Sequence, residues 1–194
     1  MGKYLPEQTI SFRIYHDGTD QIGVATIDLP ELSYMTESLS GAGIAGEIDS
    51  PTLGMTESMT LKMSFNSVYP EIYNMLDWTR SNLFECYAAV QMSDPATSMR
   101  TSVPLRVNVV GRAKSFPLGS LEPGKKQGNE QELEVTRLEV LLDGEEKLLI
   151  DKLNFIHRVN GTDLLATVRA QMGVTRQIIL CTASCSFGMR KWET

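Results

Sequence analysis

The sequence predicts a mainly β fold of the α+β class, an antiparallel sandwich or barrel-like domain with two short helices. Two observations predict it: apolar and polar residues alternate over much of the chain, and turn residues separate the alternating segments. With 194 residues, 42% of them hydrophobic and 22% charged, the chain can bury a core without a metal or a disulfide. One compact domain is therefore expected.

The strands are predicted from residues that alternate between a buried and a solvated face. Ile10, Phe12 and Ile14 alternate with polar residues, and a turn at 16–20 is predicted to lead into 21–29 as a hairpin. Further half-buried strands are predicted at 59–65, 84–92, 103–109, 132–143 and 147–159. The alternation slips within the last two, which indicates β-bulges, and Asp143-Gly144 is predicted to join them.

Two short helices are predicted between the strands. The first begins near Pro70 and places Ile72, Met75 and Leu76 on one face. The second covers 160–173, with Asn160 or Thr162 as its cap and Gly173 as its stop. Its expected inner stripe consists of Leu164, Leu165, Val168 and Met172.

Two long excursions leave the strand pattern, at 30–54 and 115–131. The first contains Gly41, Gly43 and Gly46 in the spacing G-x-G-x-x-G, which in dinucleotide-binding proteins follows a strand and opens a helix. Leu29-Pro30 interrupts any buried strand before the glycines, and Ser50-Pro51 limits any helix after them. No cofactor is therefore expected, although a ligand-binding module or an enzyme that uses residues 41–46 stays open as an alternative.

Catalytic and metal-binding patterns are not apparent. The sequence has no nucleophile elbow, phosphate loop or H-E-x-x-H motif, so no catalytic residue is assigned. His16 and His157 are far apart in sequence and are interpreted as strand-end residues, so no metal ligand is assigned either. Cys86 is predicted to lie in the core, and the odd count of three cysteines favours a reducing compartment.

Charge and hydropathy limit the partners. The formal net charge is −6, and the first sixty residues carry nine acidic and two basic side chains, so tight binding of nucleic acid is not expected. No apolar run is long enough to span a membrane, and no export signal is visible at the N-terminus, which favours the cytoplasm.

Three stretches of the sequence carry a family resemblance. GVATIDLPEL, SGAGIAGEID and the long run from VVGRAKSFPLG to TDLLATVRAQMG, taken in order, resemble the major tail tube protein of contractile-tailed bacteriophages. The resemblance covers about residues 5–173 and ends at Gly173. Residues 174–194 have no counterpart and are interpreted as a C-terminal extension of unknown role, beside a tail tube domain at 1–173.

The resemblance implies a structural protein and no catalysis. Subunits of that family form hexameric rings that contribute strands to one shared β-barrel, and the rings stack into a hollow tube inside a contractile sheath for DNA delivery. Implied partners are further copies of the chain, the tail sheath protein, the baseplate or tube initiator and the tape measure protein. Viral DNA would pass through without tight binding, and no membrane is involved. The implied location is the virion tail, assembled in the host bacterial cytoplasm.

The glycine-containing excursion then acquires a hypothetical role as a contact between subunits. A two-armed excursion over 30–54 is long enough to touch a neighbouring ring. The hypothesised contact loop consists of Ser40, Gly41, Ala42, Gly43, Ile44, Ala45 and Gly46. Alternatives of related architecture are the tube of a phage-tail-like bacteriocin and that of a type VI-like injection system, and an idle surface loop is the alternative for the excursion itself.

Overall fold

The structure, a computed structural model, describes residues 4–20, 24–41, 43, 45–67 and 70–174. The elements of this part of the chain are β1 (Leu5–His16), β2 (Thr19–Asp20), β3 (Val24–Asp28), β4 (Tyr34–Leu39), β5 (Ile48–Thr56), β6 (Thr60–Phe65), a 3₁₀ helix (Pro70–Leu76), β7 (Asn82–Ser93), β8 (Arg100–Ser115), β9 (Asn129–Leu142), β10 (Glu145–Asp151), β11 (Ile156–Val159), β12 (Thr162–Asp163) and α1 (Ala166–Gln171). The mainly β, antiparallel fold class is therefore confirmed.

Within the described residues, ten strands form one antiparallel sheet in the order β12-β11-β10-β9-β8-β7-β1-β2, and β6 and β3 extend it from β9. The long strand β9 is its branch point. One edge of β9 pairs with β8 along nearly its whole length, whereas the other edge pairs first with β6, through residues 129–134, and then with β10, through 137–142. The sheet therefore divides at β9 into two directions.

The core lies on one face of this sheet. Met59, Leu61, Met63 and Phe65 are all buried, as their alternation predicts. They join side chains from the other long strands in one cluster, which includes Ile14, Phe84, Cys86, Val107, Val109, Leu133, Val135 and Leu138. Strands that are four positions apart in the sheet, β1 and β6, thus contribute to the same core, as in a barrel-like domain.

The predicted bulges are present, but the prediction of a single strand over 147–159 was wrong: the chain turns at 152–155, and β10 and β11 pair with each other on either side of this turn. On β9 the buried positions Val135 and Leu138 are three residues apart, and the pairing with β8 shifts its register between Val110 and Gly111. On β10, Leu149 and Ile150 are both buried, and a register shift lies between Glu146 and Leu148.

The first predicted helix is present as a 3₁₀ helix. Ile72 and Met75 are buried, as expected, and they cover one end of the core. Asn82 fixes the end of this turn because its side-chain amide donates to the carbonyl of Met75 at 3.2 Å and its Oδ1 lies 3.0 Å from Nε2 of His16. His16 ends β1, where its ring stacks on Phe84.

The prediction of a second helix over 160–173 was wrong for the first half of that segment. Asn160 and Gly161 have φ of 49° and 79°, and they turn the chain between β11 and β12 instead of starting a helix. The helix α1 has only six residues, and Leu164 and Met172 of its expected inner stripe are exposed. Leu165 is buried, and Gly173 has the positive φ expected of a helix stop. The helix is short because residues 160–163 form the turn and strand β12, where Asp163 pairs with Arg169.

The prediction that a turn at 16–20 leads into residues 21–29 as a hairpin was also wrong in part. Asp17 and Gly18 do turn the chain, and β2 pairs back onto Tyr15 and His16. Strand β3, however, pairs with β6 and not with β1. Residues 21–23 between β2 and β3 lie outside the described part of the chain.

No helix among the described residues has both the length and the apolar character needed to cross a membrane.

Candidate assembly surfaces

The excursion at 30–54 is a hairpin, called the arm below and defined as residues 34–56. Strands β4 and β5 pair with each other in a separate two-stranded sheet, with Leu39 opposite Ile48 near the tip. All six residues of β4 are exposed, and this strand contributes no side chain to the core. Six residues of a strand span about 20 Å.

The glycines lie at the tip of the arm. Gly43 and Gly46 have φ of 100° and 129°, which only glycine adopts without strain. A Cβ atom added to Gly41, Gly43 or Gly46 would meet no atom within 4 Å, so the conformation, and not crowding within the chain, requires the glycines at 43 and 46. Ser40 and Ala45 are exposed beside them, whereas Ala42 and Ile44 lie outside the described residues.

This geometry differs from a dinucleotide site. An exposed strand precedes the glycines and a second antiparallel strand follows them, where such a site needs a helix whose amides face the phosphates. The described residues also contain no group of three or more side chains able to hold a metal ion.

The arm is acidic and apolar at the same time. From residue 14 to residue 61 the sequence contains no lysine or arginine, and Glu37, Glu47 and Asp49 lie on the arm. Its large apolar side chains are between 39% and 82% exposed, namely Tyr34, Met35, Leu39, Ile48, Leu53 and Met55. A hairpin that exposes so many apolar side chains has the composition of a contact surface.

Three contacts hold the base of the arm, or the residue that follows it, to the domain. The ring of Tyr34 stacks on His157, with ring centroids 5.8 Å apart, and Nζ of Lys152 donates at 2.7 Å to the carbonyl of Glu57, which directly follows the arm. At Gly54, whose φ is 72°, an added Cβ would lie 2.3 Å from Cδ2 of the buried Leu165. The segment before α1 therefore packs against the arm where only a glycine fits.

His157 is buried at this base, and burial lowers the pKa of its imidazole, which the negative charge of Asp163 partly opposes. Its Nδ1 has no hydrogen-bond partner among the described residues. The role of Gly54 and His157 as anchors of the arm was missed from the sequence, because neither residue belongs to a pattern that predicts contact over more than a hundred positions.

A second candidate surface is the free edge of β1. One side of β1 pairs with β7 from Leu5 to His16, and its other side pairs with β2 at Tyr15 and His16. No strand among the described residues pairs with this other side along 5–12, so the backbone groups there are available to another strand. Leu5 and Ile10, each 55% exposed, lie on this edge strand.

A third surface is the face of the sheet opposite the core. Tyr15 of β1, Tyr87 of β7 and Arg106 of β8 point away from the buried side chains and line a shallow groove of about 1070 Å³. Arg106 is ion-paired with Glu85 and lies over the ring of Tyr87, 4.9 Å from its centroid.

Comparison with known proteins identifies the family. The family profile described as phage tail tube protein FII matches residues 6–173 of this chain. The chain belongs to this family of phage tail tube proteins.

Two phage proteins of that name are similar along most of their length. The tail tube protein of Escherichia phage P2 is 25% identical over 185 residues, which cover 88% of this chain and 99% of that protein. The major tail tube protein of Serratia phage KSP20 is 24% identical over 162 residues, or 82% of this chain and 91% of that protein. The resemblance stated from the sequence is thus confirmed, and the chain is a structural subunit of a phage tail tube.

A solved structure is also similar. It is a chain from a cryo-EM structure of an extracellular contractile injection system, described as the PVC sheath/tube terminator in the extended state. The TM-score is 0.49 at 14% identity, over 71% of this chain and 97% of that chain.

Proposed function

We propose that copies of this chain form hexameric rings whose sheets join at their edges, and that the arms connect each ring to the next in a hollow tube. The tube would lie inside a contractile sheath and conduct viral DNA without binding it tightly. In this role the chain performs no catalysis. The tube would assemble in the host bacterial cytoplasm, starting on a baseplate initiator and with the length set by a tape measure protein.

The observation that carries the proposal is the arm. It pairs with no other strand among the described residues, exposes six large apolar side chains and is fixed to the domain at its base. Such a hairpin is stabilised when a neighbouring subunit covers it. A contact between two different surfaces that does not close on itself extends an assembly along an axis, as a tube requires.

The free edge of β1 supports the ring. The strand edge along 5–12, which pairs with no other strand among the described residues, favours pairing with another chain, and pairing around a ring leaves no edge exposed. The contact loop at 40–46 stays a proposal within this scheme, as does the division into a tail tube domain at 1–173 and an extension at 174–194.

The experiment compares two pairs of exposed leucine and isoleucine side chains. Leu39→Ser with Ile48→Ser removes the apolar pair near the tip of the arm, where the two side chains are 50% and 55% exposed. Leu118→Ser with Leu121→Ser is the control, since these side chains, 63% and 87% exposed, lie on the loop between β8 and β9.

Both variants are expected to fold, as monitored by circular dichroism. Electron microscopy after co-expression with sheath and initiator proteins should show tubes for the control, and rings or single subunits for the arm variant. Tubes of normal length from the arm variant would show that the arm does not connect rings.

A further inference from the structure

The groove on the open face of the sheet contains a connected set of polar side chains. Arg106 donates through Nη2 to Glu85 and through Nε to Oδ1 of Asn108 at 3.0 Å. Asn108 in turn donates to Glu139 at 3.0 Å. The set crosses three strands, β7, β8 and β9, so it holds the face of the sheet together from side to side.

Aromatic rings continue this set toward β1. The guanidinium of Arg106 lies over Tyr87, and the ring of Tyr87 meets that of Tyr15 edge to face at 5.5 Å. Two of the five N–H donors of Arg106 are used within the protein, and one face of its guanidinium is covered by a ring. The positive charge of Arg106 is therefore balanced by the carboxylate of Glu85 and partly covered by Tyr87.

The face is nevertheless open. Tyr87 is 38% exposed and the side chain of Arg106 is 40% exposed, although Cys86 and Val107, their neighbours on the opposite side of the same strands, are buried in the core. A sheet that closes into a ring with other copies must turn one face toward the axis. The core face is already packed, which leaves the groove face.

We propose that the groove forms the wall of the tube's bore, and that Glu85 keeps this wall from adhering to DNA by engaging Arg106. This inference rests on the proposed tube. A bare arginine at this position would form a phosphate contact at each of the many copies along a tube, and such contacts add up in proportion to their number. Pairing with Glu85 balances the positive charge of Arg106, while Arg106 still stabilises the sheet.

The first test measures binding of a short fluorescent duplex DNA to unassembled protein. Glu85→Gln releases Arg106, whereas Glu122→Gln is a matched control that changes the net charge equally and releases Lys125, an exposed lysine on a loop outside the groove. At about 50 mM salt Glu85→Gln should bind about tenfold more tightly than the wild type, with a salt dependence steeper by about 0.9, the values for one added phosphate contact.

The double variant Glu85→Gln with Arg106→Gln should return to wild-type binding, because the released group is then absent. Equal strengthening by Glu85→Gln and Glu122→Gln, or none in either, would overturn the role of Glu85. Circular dichroism checks that each variant is folded.

The second test needs no variant. A helical reconstruction of wild-type tubes shows which face of the sheet is turned to the axis. Tyr87 and Arg106 at the bore would support the inference. Tubes in which these residues face the sheath or another subunit would overturn the inference and leave the proposed function intact, whereas a chain that forms no tubes with its sheath and initiator would overturn both.

Discussion

Gly54→Ala is expected to loosen the arm from the domain, and Leu165→Ala is expected to relieve part of that effect. The added methyl group would lie 2.3 to 2.8 Å from three carbon atoms of Leu165, and φ of 72° is unfavourable for alanine. We assign about 2 kcal/mol to the overpacking and about 1 kcal/mol to the backbone conformation. Gly54→Ala should therefore lower the free energy of unfolding by about 3 kcal/mol, or the melting temperature by roughly 6 to 12 °C.

Leu165→Ala alone should cost about 2.5 kcal/mol, since it leaves a space at a buried position. In the double variant the methyl group at 54 occupies that space, so only the backbone term of about 1 kcal/mol should be added. The double variant would then lose about 3.5 kcal/mol, which is about 2 kcal/mol less than the sum of the single losses.

Urea denaturation of the wild type and the three variants, at concentrations where the chain is unassembled, measures this coupling. Losses that add to within about 0.5 kcal/mol would refute the contact between Gly54 and Leu165 as the reason for a glycine at this position.

Three further predictions concern other parts of the chain. Because burial lowers the pKa of His157, the unfolded chain binds more protons than the folded one as the pH falls below about 6.5. Urea denaturation between pH 7.5 and 5.5 should therefore show that the free energy of unfolding decreases with falling pH, and that His157→Gln weakens this dependence. The same pH dependence in the wild type and in His157→Gln would contradict the prediction. Burial raises the pKa of Cys86 to about 12, so iodoacetamide at pH 8 should modify this cysteine only in urea, as judged by peptide mass spectrometry; rapid modification of the folded protein would show that the core is open there. Truncation after Gly173 should leave the melting temperature nearly unchanged, and a decrease of ten degrees or more would mean that the extension packs on the domain.

Local patterns predicted the strands well because each strand has one buried face. The alternation of Met59, Leu61, Met63 and Phe65 is visible without knowing what packs against them, and all four are buried. The bulges on β9 and β10 could be predicted for the same reason, since an extra residue shifts the alternation in the sequence itself.

Pairing between distant strands was not predictable from these patterns. Strand β3 has the composition of a partner for β1, and only the tertiary structure assigns it to β6. The segment from 160 to 173 has apolar residues at helical spacing, but the turn at Asn160-Gly161 and the contact of Leu165 with Gly54 decide its structure. The paired residues of β3 and β6 are 34 to 41 positions apart and Leu165 lies 111 positions from Gly54, and a local pattern is not sensitive to such separations.

Some features of the candidate surfaces could be predicted from the sequence and others could not. Sequence patterning located the excursion and its glycines, and the structure shows that this segment is an exposed hairpin. The anchors at its base and the polar set in the groove depend on which side chains meet across strands, as Tyr34 meets His157 and Arg106 meets Glu85. Those partners carry no sequence signal of their own.

The assembly of the chain can be tested by electron microscopy of the purified protein, alone at high concentration and after co-expression with its sheath and initiator proteins. Stacked rings of six subunits or hollow tubes are expected. A strictly monomeric protein at every concentration, with no tubes in the presence of both partners, would contradict this expectation.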